Sequence, residues 1–172
     1  MRRLVGALAT ALLLAGAVFG FAPAHAASWT SSSYASRLVE LINQARQQQG
    51  LRALSVASGT SQVAASWTAH LDAAQSLSHN PDLRHQLETH GSPDWTTYGE
   101  NVGMESATWG ADSLFHAYMN SAPHRANILD PDFKYIGIFT KRGKLFRWNT
   151  LDFVGRTSTS YNYGYGATRR TC

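Results

Sequence analysis

Three residues in this chain sit where a reactive or ligating group could be held in place. His124 lies in Asn120-Ser121-Ala122-Pro123-His124-Arg125-Ala126-Asn127-Ile128-Leu129. Pro123 has a fixed φ and no N–H, so it suits the first turn of a helix, with Ser121 or Ala122 before it as the cap. His124 is then pinned in that first turn, between the helix before it and the strand after it. Glu100 lies in Thr97-Tyr98-Gly99-Glu100-Asn101-Val102-Gly103-Met104, a half-buried stretch with strand character. A buried carboxylate is costly unless it is paired, hydrogen-bonded or metal-bound. His79 precedes Asn80-Pro81. The residue before a proline is pushed out of the α region, so a helix should stop there. The plain role of His79 is then a favourable interaction with the helix C-terminus. Ser121 adds a hydroxyl near His124. A Ser–His pair, however, needs an orienting third group and an oxyanion hole, and neither is visible. No residue is assigned a catalytic role.

Ordinary patterning supplies the elements that must position these groups. Leu38, Leu41, Ile42 and Ala45 recur at helical spacing, and Gly50 follows as a C-cap. Leu41 is expected in the middle of that helix's apolar face. A second helix begins near Ser58 or Thr60, carries Val63, Ala64, Trp67, Leu71 and Ala74 on one face, and is expected to end by Asn80. Leu83 and Leu87 suggest one short helical piece. A third long helix is expected from Ala107 to Asn120. Phe133–Thr140 and Leu145–Val154 are β-branched and aromatic, and Lys141-Arg142-Gly143-Lys144 joins them as a hairpin. Together with the Glu100 segment they predict a small antiparallel sheet with three helices.

The N-terminus reads differently. Met1-Arg2-Arg3 leads into an uncharged apolar run from Leu4 to Phe21, and Ala24-His25-Ala26 is a small-x-small cleavage pattern. Residues 1–26 are expected to be a secretory signal peptide, leaving 27–156 as one domain with a sizeable core. No stable membrane span is expected after cleavage. The tail, 157–172, is rich in Ser, Thr, Tyr and Gly and lacks apolar periodicity, so disorder is expected.

The formal charge of +4 comes from 15 Lys and Arg against 11 Asp and Glu. Two of those cations, Arg2 and Arg3, leave with the signal, and Arg169 and Arg170 lie in the tail. The body is close to neutral and has no basic stripe, which argues against a nucleic-acid partner. Cys172, the last residue, is the only cysteine. No internal disulfide can form, so the domain must stand on its core. The thiol either pairs between chains, giving a disulfide dimer, or has no role.

Several of these stretches, in this order, resemble the CAP superfamily (cysteine-rich secretory proteins, antigen 5 and pathogenesis-related proteins) in its small bacterial secreted form. They are Asn43-x-x-Arg46 with Gly50-Leu51, His79-Asn80-Pro81, Gly99-Glu100-Asn101-Val102, Ser121-x-Pro123-His124-Arg125-x-Asn127-Ile128-Leu129, and Ile136-Gly137-Ile138. The resemblance runs from Tyr34 to Phe153. It implies an α+β fold, a three-layer α-β-α sandwich with a small central antiparallel sheet. It also implies a cleft of two His and two Glu that binds zinc in some members. His79, Glu100 and His124 match three of those positions, with Ser121 beside them. Asn120 and Ser121 stand where the second Glu is expected. Tyr118 replaces the usual Trp of the long helix, and Arg147-Trp148-Asn149 departs from the family's final strand.

Two imidazoles and one carboxylate are good zinc ligands and leave a position for water. Hydrolysis would also need a general base near that water, and none can be named. The expectation is therefore a secreted, non-enzymatic domain that binds a small hydrophobic or envelope ligand, or a partner, in the His/Glu cleft. The alternatives are a metal-assisted hydrolase of envelope or extracellular substrates, and a structural envelope protein whose trio is only a hydrogen-bonded floor.

Overall fold

A computed structural model describes residues 33–90, 95–155 and 168–170. Five helices and five strands follow in the order α1 (Ser33–Gln48), β1 (Ser55–Val56), α2 (Ser58–Ala74), α3 (Leu83–His90), β2 (Thr97–Ser106), α4 (Ala111–Asn120), α5 (Ala122–Ile128), β3 (Phe133–Arg142), β4 (Phe146–Gly155) and β5 (Thr168–Arg170). The strands form one sheet in the order β1-β3-β4-β2-β5. Its three long strands, β3, β4 and β2, are antiparallel, and the short edge strands β1 and β5 add in parallel.

Alternation along the strands sends side chains to two faces. On one face Ile136, Ile138, Leu151 and Phe153 pack with Leu38 and Ile42 of α1 and Leu114 and Tyr118 of α4. On the other, Tyr98 and Val154 pack with Val63 of α2 and Leu83 and Leu87 of α3, while Val102 and Trp148 pack with Leu71. Helices thus cover both faces of the sheet, and the α+β three-layer sandwich is the fold.

Two close approaches set the layer spacing. A Cβ on Gly137 would collide with the Thr60 backbone of α2, and one on Gly103 would collide with the Tyr118 side chain of α4. The Ile138 N–H donates to Ser61 Oγ at 3.2 Å, tying α2 to β3 where Gly137 lets it in.

The motif Asn43-x-x-Arg46 is structural. The Asn43 amide exchanges two hydrogen bonds with the Leu54 backbone, at 3.1 and 2.8 Å. Arg46 is fully buried, and its guanidinium donates to the carbonyls of Arg52, Ile128, Asp130 and Phe133. One side chain therefore joins α1 to the end of α5, the helix whose first turn carries His124, and to the start of β3.

Four expectations need correction. The second helix ends at Ala74 rather than near Asn80, because Gln75 takes the left-handed conformation (φ 52°) and its amide turns back to Asp72. The third long helix begins at Ala111, after a turn at Ser106–Trp109. Leu41 is only partly buried; Leu38 and Ile42, one turn apart, are the fully buried pair. Finally, three residues of the expected disordered tail, Thr168–Arg170, pair with Thr97–Gly99 along the open edge of β2. An unpaired strand edge is a ready template for such pairing. The expected signal peptide, most of the tail and Cys172 lie outside the described residues. Among the described residues no helix is long and apolar enough to cross a membrane.

Candidate functional site

β2 presents Glu100 to the α2–α3 side of the sheet and its neighbour Asn101 to the other. Glu100 is only 2% exposed. Its Oε1 lies 2.6 Å from His79 Nδ1 and also accepts the Asn80 backbone N–H at 3.0 Å. The carboxylate is thus held by two consecutive residues of the α2–α3 connector. His79 is half-buried, with 28% of its side chain exposed.

The connector is fixed from both ends. The Trp67 indole N–H of α2 donates to the Ser78 carbonyl at 2.9 Å, immediately before His79. On the far side Asn80 is buried, its amide donates to Gln86 of α3, and its side-chain oxygen accepts the Asp82 N–H. With α2 ending at Ala74, His79 does not sit at a helix C-terminus. Glu100 and Trp67, rather than a helix dipole, set its position.

A residue that the sequence reading passed over completes this group. Asp152 of β4 is the direct cross-strand partner of Glu100, so both side chains project from the same face. Asp152 is fully buried, and neither carboxylate oxygen has a hydrogen-bond partner among the described residues. Burial pushes its pKa well above the usual carboxylate range; the Glu100 charge adds to the rise, and His79 opposes it. The available signal was an acid set within the apolar run Leu151, Phe153 and Val154 at the end of the strand.

His124 begins α5 as expected, with Ser121 as N-cap and Pro123 in the first turn. Its ring lies 5.1 Å from that of Tyr118, and its backbone carbonyl accepts from the Asn101 amide at 3.1 Å. The His124 Nδ1 is buried without a hydrogen-bond partner among the described residues. Asn127 extends the tie by donating to the Glu100 carbonyl and to Asn101 Oδ1. The Asn101 and Asn127 amides of the recognised motifs thus dock α5 on β2. No hydrogen bond joins Ser121 to His124 among the described residues, so no Ser–His pair is formed.

The structure therefore brings His79 and Glu100 into direct contact. It places His124 against the strand residue next to Glu100, whose side chain is on the opposite face. Among the described residues no group of three or more His, Cys, Asp or Glu side chains is arranged to hold a metal ion. Ligand atoms about 2.0 Å from a tetrahedral zinc lie roughly 3.3 Å from one another. The 2.6 Å separation of His79 and Glu100 is shorter and is that of a hydrogen bond. Oε1 and Nδ1 therefore do not both ligate one zinc ion; a carboxylate held on one ring nitrogen is the usual partner of an imidazole that ligates metal through the other.

A second buried polar group lies on the α1–α4 face. The Tyr34 hydroxyl donates to Glu105, and the Arg147 guanidinium stacks 4.0 Å above the Tyr34 ring. Burial raises the Glu105 pKa, and the Tyr34 bond and the Arg147 charge oppose that rise. The other described histidines join neither group. His70 stacks on Trp67 at 4.3 Å, and His85, His90 and His116 are exposed.

The sequence profile of the cysteine-rich secretory protein family (CAP) matches residues 39–147. The uncharacterized protein YkwD of Bacillus subtilis is 32% identical over 135 residues, which make up 73% of this chain and 48% of that protein. A cysteine-rich secretory protein from Staphylococcus aureus superposes with a TM-score of 0.57 at 25% identity, over 70% of this chain and 38% of that one. An extracellular protein containing an SCP domain from Bacillus anthracis gives 0.59 at 22% identity, over 70% and 40% of the two chains. An outer surface protein of Borrelia burgdorferi gives 0.61 at 17% identity, over 71% and 92%. The last two similarities concern the fold alone. The chain spans about half the length of the Bacillus subtilis relative and less of the Staphylococcus aureus and Bacillus anthracis proteins.

Proposed function

We propose, from the premise that this chain belongs to the CAP family of cysteine-rich secretory proteins, that it is an extracellular, non-enzymatic domain which binds a ligand through His79. The observation that carries this reading is the His79–Glu100 hydrogen bond at 2.6 Å. It holds in place an imidazole whose side chain is 28% exposed, at the mouth of the cleft where a ligand can reach it. Hydrogen bonding at one ring nitrogen sets which role the other can play. Asp152 behind Glu100 makes the floor of the site acidic and buried, while His79 stands at its opening.

Secretion is supported by the signal-like N-terminus and by the extracellular and outer-surface descriptions of the Bacillus anthracis and Borrelia burgdorferi proteins. The non-enzymatic reading rests on the sequence, in which no general base can be named beside the candidate ligands. No reaction step is assigned to a metal.

The test is recovery of small molecules from protein secreted by its own host, identified by mass spectrometry, for wild type and His79→Ala. A ligand present in the first and depleted in the second is expected. The same molecules in both, at equal amounts, would remove His79 from the binding role.

A further inference from the structure

We propose that the cavity between the end of α2 and the β3–β4 turn is a carbohydrate-binding site, separate from the His79–Glu100 cleft. The cavity has a volume of about 620 Å³, within the range of sites that enclose a small ligand. Asp72 and Gln75 approach it from α2, Lys144 from the turn, and Phe146 and Trp148 from β4. Trp148 pairs with Met104, whereas Asp152 pairs with Glu100. The two sites are therefore four residues, roughly 13 Å, apart along one face of β4.

Its chemistry suits a sugar ring. Phe146 is 37% exposed, an aromatic surface open to solvent, and its ring meets Trp148 edge-on at 6.1 Å. Such a surface takes the apolar face of a pyranose. Trp148 is 1% exposed, and its indole N–H is buried with no acceptor among the described residues. An indole nitrogen can only donate, so this N–H is an unused donor in a side chain that forms the inner wall of the cavity.

The polar wall offers both kinds of partner. Asp72 accepts, Lys144 donates, and the Gln75 amide can do each. A hydroxyl also needs both, and a ring of hydroxyls meets such a mixed wall better than a single charged head would. Charge argues the same way. The Asp72 carboxylate is paired with Lys141 at 2.8 Å, which leaves Lys144 as the further cation among the described lining residues. That is too little positive charge to select an acidic lipid head, and a neutral ligand fits best.

The backbone holds the wall in place. The Gly143 N–H donates to the Phe146 carbonyl at 2.8 Å, closing the turn that presents the ring. A Cβ on Gly143 would press on Asp72 Oδ1 and the Phe146 carbonyl, each at 3.1 Å, so a larger residue would ease the turn away from α2 by a few tenths of an ångström.

The experiment follows the tryptophan indole N–H signals of the ¹⁵N-labelled protein during titration with tetra-N-acetylchitotetraose and with cellotetraose. A Trp148→Phe variant assigns the signal. The expected result is that the Trp148 signal moves with at least one sugar, and further than that of Trp67, which packs beside it, and that Phe146→Ala weakens binding about tenfold. Lys144→Ala, an exposed change, gives a second weakened variant should Phe146→Ala fold poorly. No movement of the Trp148 signal up to about 10 mM of either sugar overturns the proposal. So does binding that moves Trp67 instead, or that both variants leave intact. If decanoate moves Trp148 and neither sugar does, the cavity takes an apolar acid and the proposal fails.

Discussion

Glu100 and Asp152 face each other across β2 and β4, two buried carboxyl groups in direct register on one face of the sheet. Like charges directly opposite each other destabilise a sheet. The pair is tolerated because Glu100 is hydrogen-bonded to His79 and Asn80 while burial favours the protonated form of Asp152. The acidity of the site floor thus rests on a proton held by β4.

That proton has a thermodynamic consequence. The folded pKa of Asp152 is raised above its unfolded value of about 3.9, so the folded state binds more protons between the two values. The contribution to stability is fully present below about pH 3.9 and is lost as pH rises through the folded pKa. Asp152→Asn keeps the shape, carries no charge and can donate to Glu100. Its denaturant midpoint should fall less than wild type's between pH 4 and pH 8, and it should be the more stable of the two at pH 8. Equal slopes for the two proteins would show that Asp152 does not hold the proton.

Arg46 makes a different demand. Its guanidinium satisfies the carbonyls of Arg52, Ile128, Asp130 and Phe133 from a fully buried position. Arg46→Met fills similar volume but leaves those buried acceptors unserved. A loss of about 3 kcal/mol or more is expected, read as a lower urea midpoint. Arg46→Lys should recover little, because an ammonium cannot reproduce the planar fork. A midpoint within error of wild type would mean that water serves the carbonyls equally well.

How legible was this in the sequence? Leu38, Ile42, Val63, Leu71, Leu83 and Leu87 show helical spacing, so the helices that bury them could be read directly. The Gly143 hairpin carried its own turn signal. Glu100 could be marked as needing a partner because a carboxylate in a half-buried strand is costly. Its partners could not be read in the same way. His79 reaches it only because Gln75 ends α2 early, and a left-handed glutamine has no strong sequence signature. Asp152 becomes its neighbour through strand register, which local periodicity does not encode. Edge strands β1 and β5 were missed because two or three paired residues leave no alternation to detect. Arg46 and Asn43 were quoted in a motif, but their role as backbone anchors depends on contacts up to 87 residues away.

The face of α1 can be tested directly. Leu38 and Ile42 are fully buried, while Leu41 is only partly so. Leu38→Ala should cost about 2–5 kcal/mol, because it removes a large buried group and leaves a cavity. Leu41→Ala should cost clearly less, since the site can refill with solvent. Urea midpoints of the two variants decide the order. A larger loss at Leu41 would put the wrong side of α1 against the sheet.

The position of His79 depends on a bond that can be removed alone. Trp67 packs beside Leu71, Val102 and Trp148, and its N–H donates to the Ser78 carbonyl. Trp67→Phe keeps an aromatic ring in that place and deletes the donor. One hydrogen bond of this kind contributes about 1 kcal/mol, so the fold should survive with a modest drop in midpoint. The local effect should be larger than the global one, because this bond ties the connector to α2 at the residue just before His79. Amide exchange at Ser78, His79 and Asn80 should accelerate, while α1 and β3 keep their protection relative to global stability. The Asn80 amide is the most informative probe, since it donates to the same Glu100 oxygen that His79 contacts. If exchange rises equally over the whole chain, Trp67 acts through general packing. If only the connector responds, Trp67 is the residue that aims His79 at Glu100.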